Sequence, residues 1–350
     1  MQQYHTLVRH ALQGSYKSNR TAADTVSTFG EYYEVDIGSS YPLLTTKKMD
    51  TFRWDSMLQE LVWYLSGEHH VRNLREETGI WDAWADGDWA LPSAYGRFWR
   101  RFPVPEADAQ LPGEVWADSS CPWVERDNET GTLVFDQIAY VVDTLRGDNP
   151  DRGPESRRLV VTAWHPANAA TSGLPPCHYT FALNVQNGRL NCHLTQRSAD
   201  IALGVPFNIA AYALLATVVA EATGLEPGQF GHSLVDAHVY CGTGERGLWY
   251  AENLGALQKR LAAVDAREEY RDVRDWLLAE SPPEETDDLD PASHEYGYDH
   301  VPGLLEQLAR EPLEPPSIDI SAGTVDELTY DAVELRGYDS HGPLGFRVAE

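Results

Sequence analysis

Chemistry-bearing side chains are concentrated between Leu174 and Leu215, in the run LPPCHYTFALNVQNGRLNCHLTQRSADIALGVPFNIAAYALL. Cys177 follows a Pro-Pro pair, and a thiol becomes a nucleophile when a neighbouring cation favours its thiolate. The letters supply that neighbour. Phe181, Leu183 and Val185 alternate, Asn187-Gly188 marks a two-residue turn, and Leu190, Cys192 and Leu194 alternate back, which predicts a β-hairpin. The turn pairs Gln186 with Arg189. Carried outward without a bulge, the register sets Phe181 opposite Leu194, His178 opposite Arg197 and Cys177 opposite Ser198. Directly opposed Cβ atoms lie about 4.5–5.5 Å apart and diagonal neighbours stay within reach, so a guanidinium and a hydroxyl are expected beside the thiol. Cys192 shares the apolar face and reads as a small core residue.

Stepping outward, Pro206 opens a helix predicted to run to about Ala222, apolar nearly all round and therefore buried, with Gly224 as its terminator. Asn208 is the polar side chain of its first turn. A buried amide must find partners, either in the core or on a planar ligand edge that needs both a donor and an acceptor. A second helix, Trp54 to Leu65, has an apolar stripe of Trp54, Met57, Leu58, Leu61, Val62 and Leu65. Glu60 lies off that stripe beside Trp63 and Tyr64, so it is either solvated, as most helical glutamates are, or pocketed with a raised pKa. Residues 80–102 are dense in Trp and Tyr, suited to core and rim or to a platform for a planar ligand. His238 and Tyr240 share one face of a predicted strand. Arg157 and Arg158 precede another strand, suiting surface or phosphate, and Arg20 in the loop 18–25 reads most simply as solvated.

The 350 residues are 42% hydrophobic, enough for a sizeable core, with 54 acidic against 27 basic residues and a net charge of −27. So acidic a surface disfavours nucleic acid and anionic membranes and suits high salt, pointing to a halophilic source. No signal peptide is read at the start, and no charge-free run of about 18 apolar residues, so no membrane span is expected. Four cysteines without metal-like spacing argue for reduced thiols in a cytoplasm, and no metal is expected. Helices are predicted at 1–13 and 136–148 and strands over 25–38 and 154–164, while residues 301–312 and a strand-like end over 324–343 close the fold. Residues 103–135 read as a loop-rich insertion, and 241–298 as a second, largely helical insertion on the surface.

The segments NRTAADT, PLLTTKK, LQELVWYLSGE, IWDAWAD, YGRFWRRF, SRRLVVTAW, LPPCH, QRSADIALGVPFNIAAYALL, VDAHVY, QLAREP and GYDSH stand in the order found in thymidylate synthases, and outside the two insertions nearly the whole chain resembles that family. The resemblance implies an α+β, single-domain fold over 1–350, a mixed β-sheet covered by helices, and a homodimer joined sheet to sheet. It implies methylation of dUMP with 5,10-methylenetetrahydrofolate as carbon and hydride donor; together with the acidic charge balance, a halophilic archaeon is the expected source. Cys177 would be the nucleophile, Glu60 the proton-moving carboxylate, and Tyr95 and Asp200 would assist proton removal and folate orientation, with Arg197 beside the thiol. Arg20, Arg197, Ser198 and the partner's Arg157 and Arg158 would hold phosphate. Asn208 would read the uracil edge, His238 and Tyr240 the deoxyribose hydroxyl, and Gln196 would join the nucleotide contacts. Trp81, Trp84 and Lys47 would line the folate side.

Departures from the family pattern are Ala22-Ala23-Asp24 in the loop, Val235 before the aspartate of the His–Tyr strand, Asp299-His300 displaced beyond the second insertion, and the tail Val348-Ala349-Glu350. Two other readings compete: a dUMP or dCMP hydroxymethylase, in which water captures the methylene intermediate, and a non-catalytic nucleotide-binding paralogue.

Overall fold

The computed structural model describes residues 1–19, 21, 23–105, 121–128, 130–284 and 297–349. Helix α1 (Gln2–Leu12) buries Tyr4, Leu7, Val8 and Leu12, on the spacing its sequence predicts. Strands β1 (Ser15–Lys17) and β2 (Thr25–Asp36) follow, then α2 (Phe52–Ser66), which ends at Gly67 in the left-handed region. Helix α3 (Tyr95–Arg100) leads into a small sheet of β3 (Phe102–Val104), β4 (Val124–Arg126) and β5 (Leu133–Phe135), ordered β3-β5-β4. The flanks of the first insertion are thus paired strands, not loop as expected; its centre lies outside the described residues. Their alternation is only three residues long, too short to register as a strand signal.

Helix α4 (Gln137–Arg146) is capped by Asp136, whose side chain accepts from the Ala139 N–H at 2.9 Å. Strand β6 (Val160–Thr162) and the short α5 (Pro166–Thr171) precede the hairpin of β7 (His178–Gln186) and β8 (Arg189–Gln196). Asn187 (φ 53°) and Gly188 (φ 75°) make the turn with both central residues left-handed, as a two-residue hairpin requires. After β9 (Ala199–Asp200) comes α6 (Gly204–Ala222), with Gly224 at φ 72° just beyond it, then β10 (Glu226–Tyr240). The second insertion contributes α7 (Gly244–Leu261) and α8 (Glu269–Glu280), followed by α9 (Val301–Ala309), β11 (Ser317–Ile320) and β12 (Val333–Arg336). Of the predicted strand-like end, four residues are strand, paired with β11; its earlier part forms two short 3-10 turns.

The main sheet runs β1-β2-β10-β8-β7-β6, with β9 also on β10, and it is mixed: β10 pairs antiparallel with β2 but parallel with β8 and β9. Helix α6 packs across β10, β8 and α2. By length and composition α6 could cross a membrane, against the expectation that no such run exists, since its single charge, Glu221, stands at its C-terminal end; 83% of that stretch is buried inside the molecule. The helices α7 and α8 are not merely peripheral. Tyr250, Leu257 and Leu277 are fully buried within the same hydrophobic cluster as the sheet.

Candidate active site

The hairpin keeps its predicted register from Gln186–Arg189 to Phe181–Leu194 and Thr180–Thr195, then slips between His178 and Thr180. A bulge places two residues against one, so His178 faces Gln196 instead of Arg197. The correction brings the key pair closer. Arg197 donates its backbone N–H to the Cys177 carbonyl at 2.8 Å, so Cys177 faces Arg197, not Ser198, which is half-buried one residue further on. The guanidinium is held by carbonyls of the Pro-Pro pair, Nε to Pro176 at 3.0 Å and Nη2 to Pro175 at 2.7 Å, and Nη2 stands 3.6 Å from Cys177 Sγ. Prolines suit this station because their carbonyls are acceptors while they carry no competing N–H.

Burial nonetheless pushes the Cys177 thiol above its ordinary pKa, and Arg197 only opposes that rise. The expected thiolate preference is therefore outweighed in the protein alone, because desolvation disfavours the charged form more than one guanidinium favours it. Cys192, by contrast, is 1% exposed and pushed up to about 12 by burial with no cation named against it, as befits a core residue.

From Cys177 a chain of aromatic contacts leads to Glu60. The Cys177 N–H donates to the Tyr95 hydroxyl at 2.8 Å, and the Tyr95 ring lies flat on His178, with centroids 3.7 Å apart. Tyr95 meets Trp81 at 6.0 Å, and Trp81 donates its indole N–H to Glu60 Oε1 at 2.7 Å. Glu60 is 8% exposed, and burial lifts its pKa to about 7, with the Trp81 hydrogen bond working against the rise. The ordinary reading of a solvated helical glutamate is set aside: α2 turns this residue into the aromatic cluster of Trp63, Tyr64 and Trp81. Trp84 extends the cluster, 5.5 Å from Trp81.

On the other side, Asp200 accepts the N–H groups of Ala202 (2.9 Å) and Leu203 (3.2 Å), tying the turn that enters α6. A methyl group on Gly204 would touch both Asn208 Oδ1 (3.8 Å) and the Asp200 Cβ (3.9 Å), so amide and carboxylate flank one turn. Asn208 is 8% exposed, and its Oδ1 has no hydrogen-bond partner among the described residues. A buried acceptor left open costs about 1–3 kcal/mol unless a ligand or water fills it. His238 and Tyr240 end β10 with rings 5.2 Å apart, and His300 stands 5.4 Å from Tyr240 and 3.9 Å from Asp200.

The thymidylate synthase family model matches residues 2–350. The chain belongs to the thymidylate synthase family. It is 57% identical over 337 residues to a thymidylate synthase of Haloferax volcanii, a halophilic archaeon, covering 96% of this chain and 93% of that protein. As a member of the thymidylate synthase family it is an enzyme, a methyltransferase.

Other residues singled out for a thymidylate synthase site fall as follows. Lys47 is 1% exposed, donates Nζ to the Ala202 carbonyl at 2.6 Å and is driven down to about 7 by burial, so its ammonium points inward to the Asp200 turn. Gln196 is buried, with Oε1 3.0 Å from His232 Nε2. Arg157 and Arg158 are exposed just before β6. Arg20 and Ala22 lie outside the described residues. Asp24 does not leave a bare acid in the loop: it accepts from the Tyr16 hydroxyl at 2.7 Å and the Asn19 N–H at 3.1 Å. Among the described residues no group of three or more His, Cys, Asp or Glu side chains could hold a metal.

Sequence reasoning missed His178, whose pKa burial drives down to about 3 and whose Nδ1 lies 2.8 Å from the Tyr212 hydroxyl, making a neutral floor under Tyr95. It also did not place Phe346, just before the tail. Phe346 is 3% exposed between His300 (5.1 Å) and Lys47 (5.1 Å), and the Arg347 carbonyl lies 2.9 Å from His300 Nε2. Its signal was the apolar Leu344-Gly345-Phe346 in an otherwise polar end.

Proposed function

We propose that this enzyme converts dUMP to dTMP by reductive methylation, with 5,10-methylenetetrahydrofolate as co-substrate and dihydrofolate as the second product. The observation that carries the reading is one connected cluster in which a thiol under a guanidinium, Cys177 with Arg197, is joined through Tyr95 and Trp81 to a carboxyl with a pKa near 7, Glu60. Cys177 adds to the ring carbon beside the one to be alkylated, which makes that second carbon enolate-like, and leaves when the product forms. Glu60, half-ionised near neutrality, is suited to pass protons at the base carbonyl through water. When bound, the folate supplies the one-carbon unit and the hydride.

The open Asn208 Oδ1 supports reading of the uracil N–H edge, and His238 with Tyr240 the deoxyribose hydroxyl. We assign phosphate contacts to Arg20, Arg197 and Ser198, a nucleotide contact to Gln196, and folate contacts to Trp81, Trp84, Asp200 and Lys47, the last through the inner wall. A sheet-to-sheet homodimer, with Arg157 and Arg158 given to the partner, is supported by apolar side chains on sheet strands: Phe29 is 89% exposed, Tyr32 55%, Val160 46% and Val235 38%. A single domain over 1–350, with both insertions built onto it, is supported by the shared core of α7, α8 and the sheet. The four thiols are free among the described residues, which supports a reducing cytoplasm.

The test mixes protein, dUMP and methylenetetrahydrofolate in high salt and follows both products. Dihydrofolate appearing with dTMP is the expected result. Hydroxymethylated nucleotide without folate oxidation would shift the assignment to a hydroxymethylase, and binding without turnover to a paralogue. Cys177→Ser should still bind dUMP and lose turnover by at least ~10³-fold; wild-type turnover would remove Cys177 from the mechanism. Asn208→Asp should erode the preference for dUMP over dCMP, and an unchanged ratio would reject base reading by this amide.

A further inference from the structure

The second insertion leaves the sheet at Tyr240 and returns at His300, and the two exits are fastened together. His300 donates its N–H to the Tyr240 carbonyl at 3.0 Å, Gly242 donates to Tyr298 at 3.3 Å, and Cys241 bridges Asp299. Beneath this junction Arg246, from the first turn of α7, is 2% exposed and reaches back to the junction. Its Nη1 lies 3.7 Å from Asp299 Oδ2 and hydrogen-bonds the Ser281 hydroxyl at the end of α8. The Asp299 carboxylate also accepts the Tyr250 hydroxyl at 2.9 and 2.8 Å and, through Oδ1, the Val301 N–H at 3.1 Å. Glu284 closes the frame, accepting the Thr243 N–H at 3.2 Å and the Asp299 N–H at 3.1 Å.

Two glycines show how tightly this frame is drawn against the substrate side. A Cβ on Gly242, whose φ is 91°, would meet Arg246 Cγ at 2.4 Å and Glu284 Oε1 at 2.8 Å. A Cβ on Gly247 would meet Asp24 Oδ2 at 2.8 Å. Asp24 in turn is laced to the junction by backbone, donating to Gly242 at 3.1 Å and accepting from Cys241 at 2.9 Å. The buried guanidinium thus ties both insertion helices to Asp299, while the backbone of Cys241 and Gly242 ties the end of β10 to Asp24. A charge pair this deep tolerates little change of geometry, because separation leaves either partner desolvated and alone.

We propose that Arg246 is a positioning residue for the nucleotide: through its ion pair with Asp299 it holds Tyr240 and Asp24 in the register in which the nucleotide binds. The inference rests on the dUMP assignment above. The insertion is then a brace on the nucleotide half of the site, and its loss is felt in nucleotide affinity before chemistry or the folate.

The experiment measures KM for dUMP, KM for methylenetetrahydrofolate, kcat and Tm for wild type, Arg246→Gln, Arg246→Lys and the double variant Arg246→Gln/Asp299→Asn, with the dUMP Kd measured directly. Arg246→Gln should raise KM and Kd for dUMP by roughly tenfold or more, with kcat and the folate KM within about twofold. The double variant, which removes both charges, should recover most of that loss. Arg246→Lys keeps the charge without the fork, so it should fold and raise KM for dUMP about threefold; it decides the matter if Arg246→Gln does not fold. A lower Tm with wild-type KM for dUMP in the lysine or glutamine variant would overturn the proposal, as would equal rises for both substrates. Wild type that does not turn over dUMP would instead overturn the functional assignment.

Discussion

Glu60 and Asp299 are two buried carboxyls in one molecule, each lifted to about 7 by burial and each receiving a hydrogen bond from an aromatic side chain, Trp81 for Glu60 and Tyr250 for Asp299. Their surroundings differ, and only Asp299 also has a second carboxylate, Glu284, raising it. Asp299 faces the Arg246 guanidinium and has both oxygens occupied, whereas Glu60 has no cation among the causes of its shift and borders the aromatic cluster that leads to Cys177. A shifted carboxyl is therefore not itself a functional assignment. The charge opposite it and the side chains it borders distinguish one buried carboxyl from the other.

Replacement should split the two most widely in rate. Glu60→Gln keeps the shape and should lower kcat by ~10²–10⁴-fold, the usual contribution of a placed acid–base group. Asp299→Asn should leave kcat within about threefold and act on KM for dUMP. A large kcat loss from Asp299→Asn, or none from Glu60→Gln, would dissolve the distinction.

Stability should move in opposite directions. An acid whose folded pKa exceeds its ordinary value binds more protons folded than unfolded, so Glu60 favours the fold below about pH 4.5 and that contribution is lost as pH rises to about 7. At pH 8 Glu60→Gln should thus stabilise the protein by on the order of 2 kcal/mol. Asp299→Asn removes the same unfavourable ionisation but strands Arg246, and should destabilise by about 1–3 kcal/mol. Urea unfolding at pH 5 and pH 8 checks both signs. The smallest effects concern the donors. Trp81→Phe removes a bond that favours ionised Glu60, so the acid limb of the kcat profile should move to higher pH; Tyr250→Phe should leave that limb in place and cost about 1 kcal/mol of stability. A limb that moves with Tyr250 and not Trp81 would reverse the roles.

Much of the site was legible in the letters because it depends on local periodicity. The hairpin turn at Asn187-Gly188, the apolar helix bearing Asn208 and the i, i+2 placement of His238 and Tyr240 follow from spacing alone. The bulge at His178–Thr180 did not, since one extra residue in a strand has no compositional mark there, and it changed the partner of Cys177. Burial of Glu60 and Lys47 was equally invisible, because it depends on residues far along the chain: Trp81 for one, Ala202 and Phe346 for the other. The second insertion read as a helical surface addition; α7 and α8 instead bury Arg246 and Tyr250 against Asp299, residues about 50 apart in sequence.

By itself the sequence determined which groups exist and which share a face: a thiol after two prolines, a guanidinium on the facing strand, an amide at the start of an all-apolar helix, and an acidic shell of net charge −27. Those are consequences of side-chain chemistry and of the periods 2 and 3.6, which act over a few residues. Only the tertiary structure decided how each group titrates and what it faces. Desolvation and charge pairing are properties of the whole packed neighbourhood, so one buried carboxyl, Glu60, stands among aromatics with no cation opposite it, while another, Asp299, is fastened to Arg246.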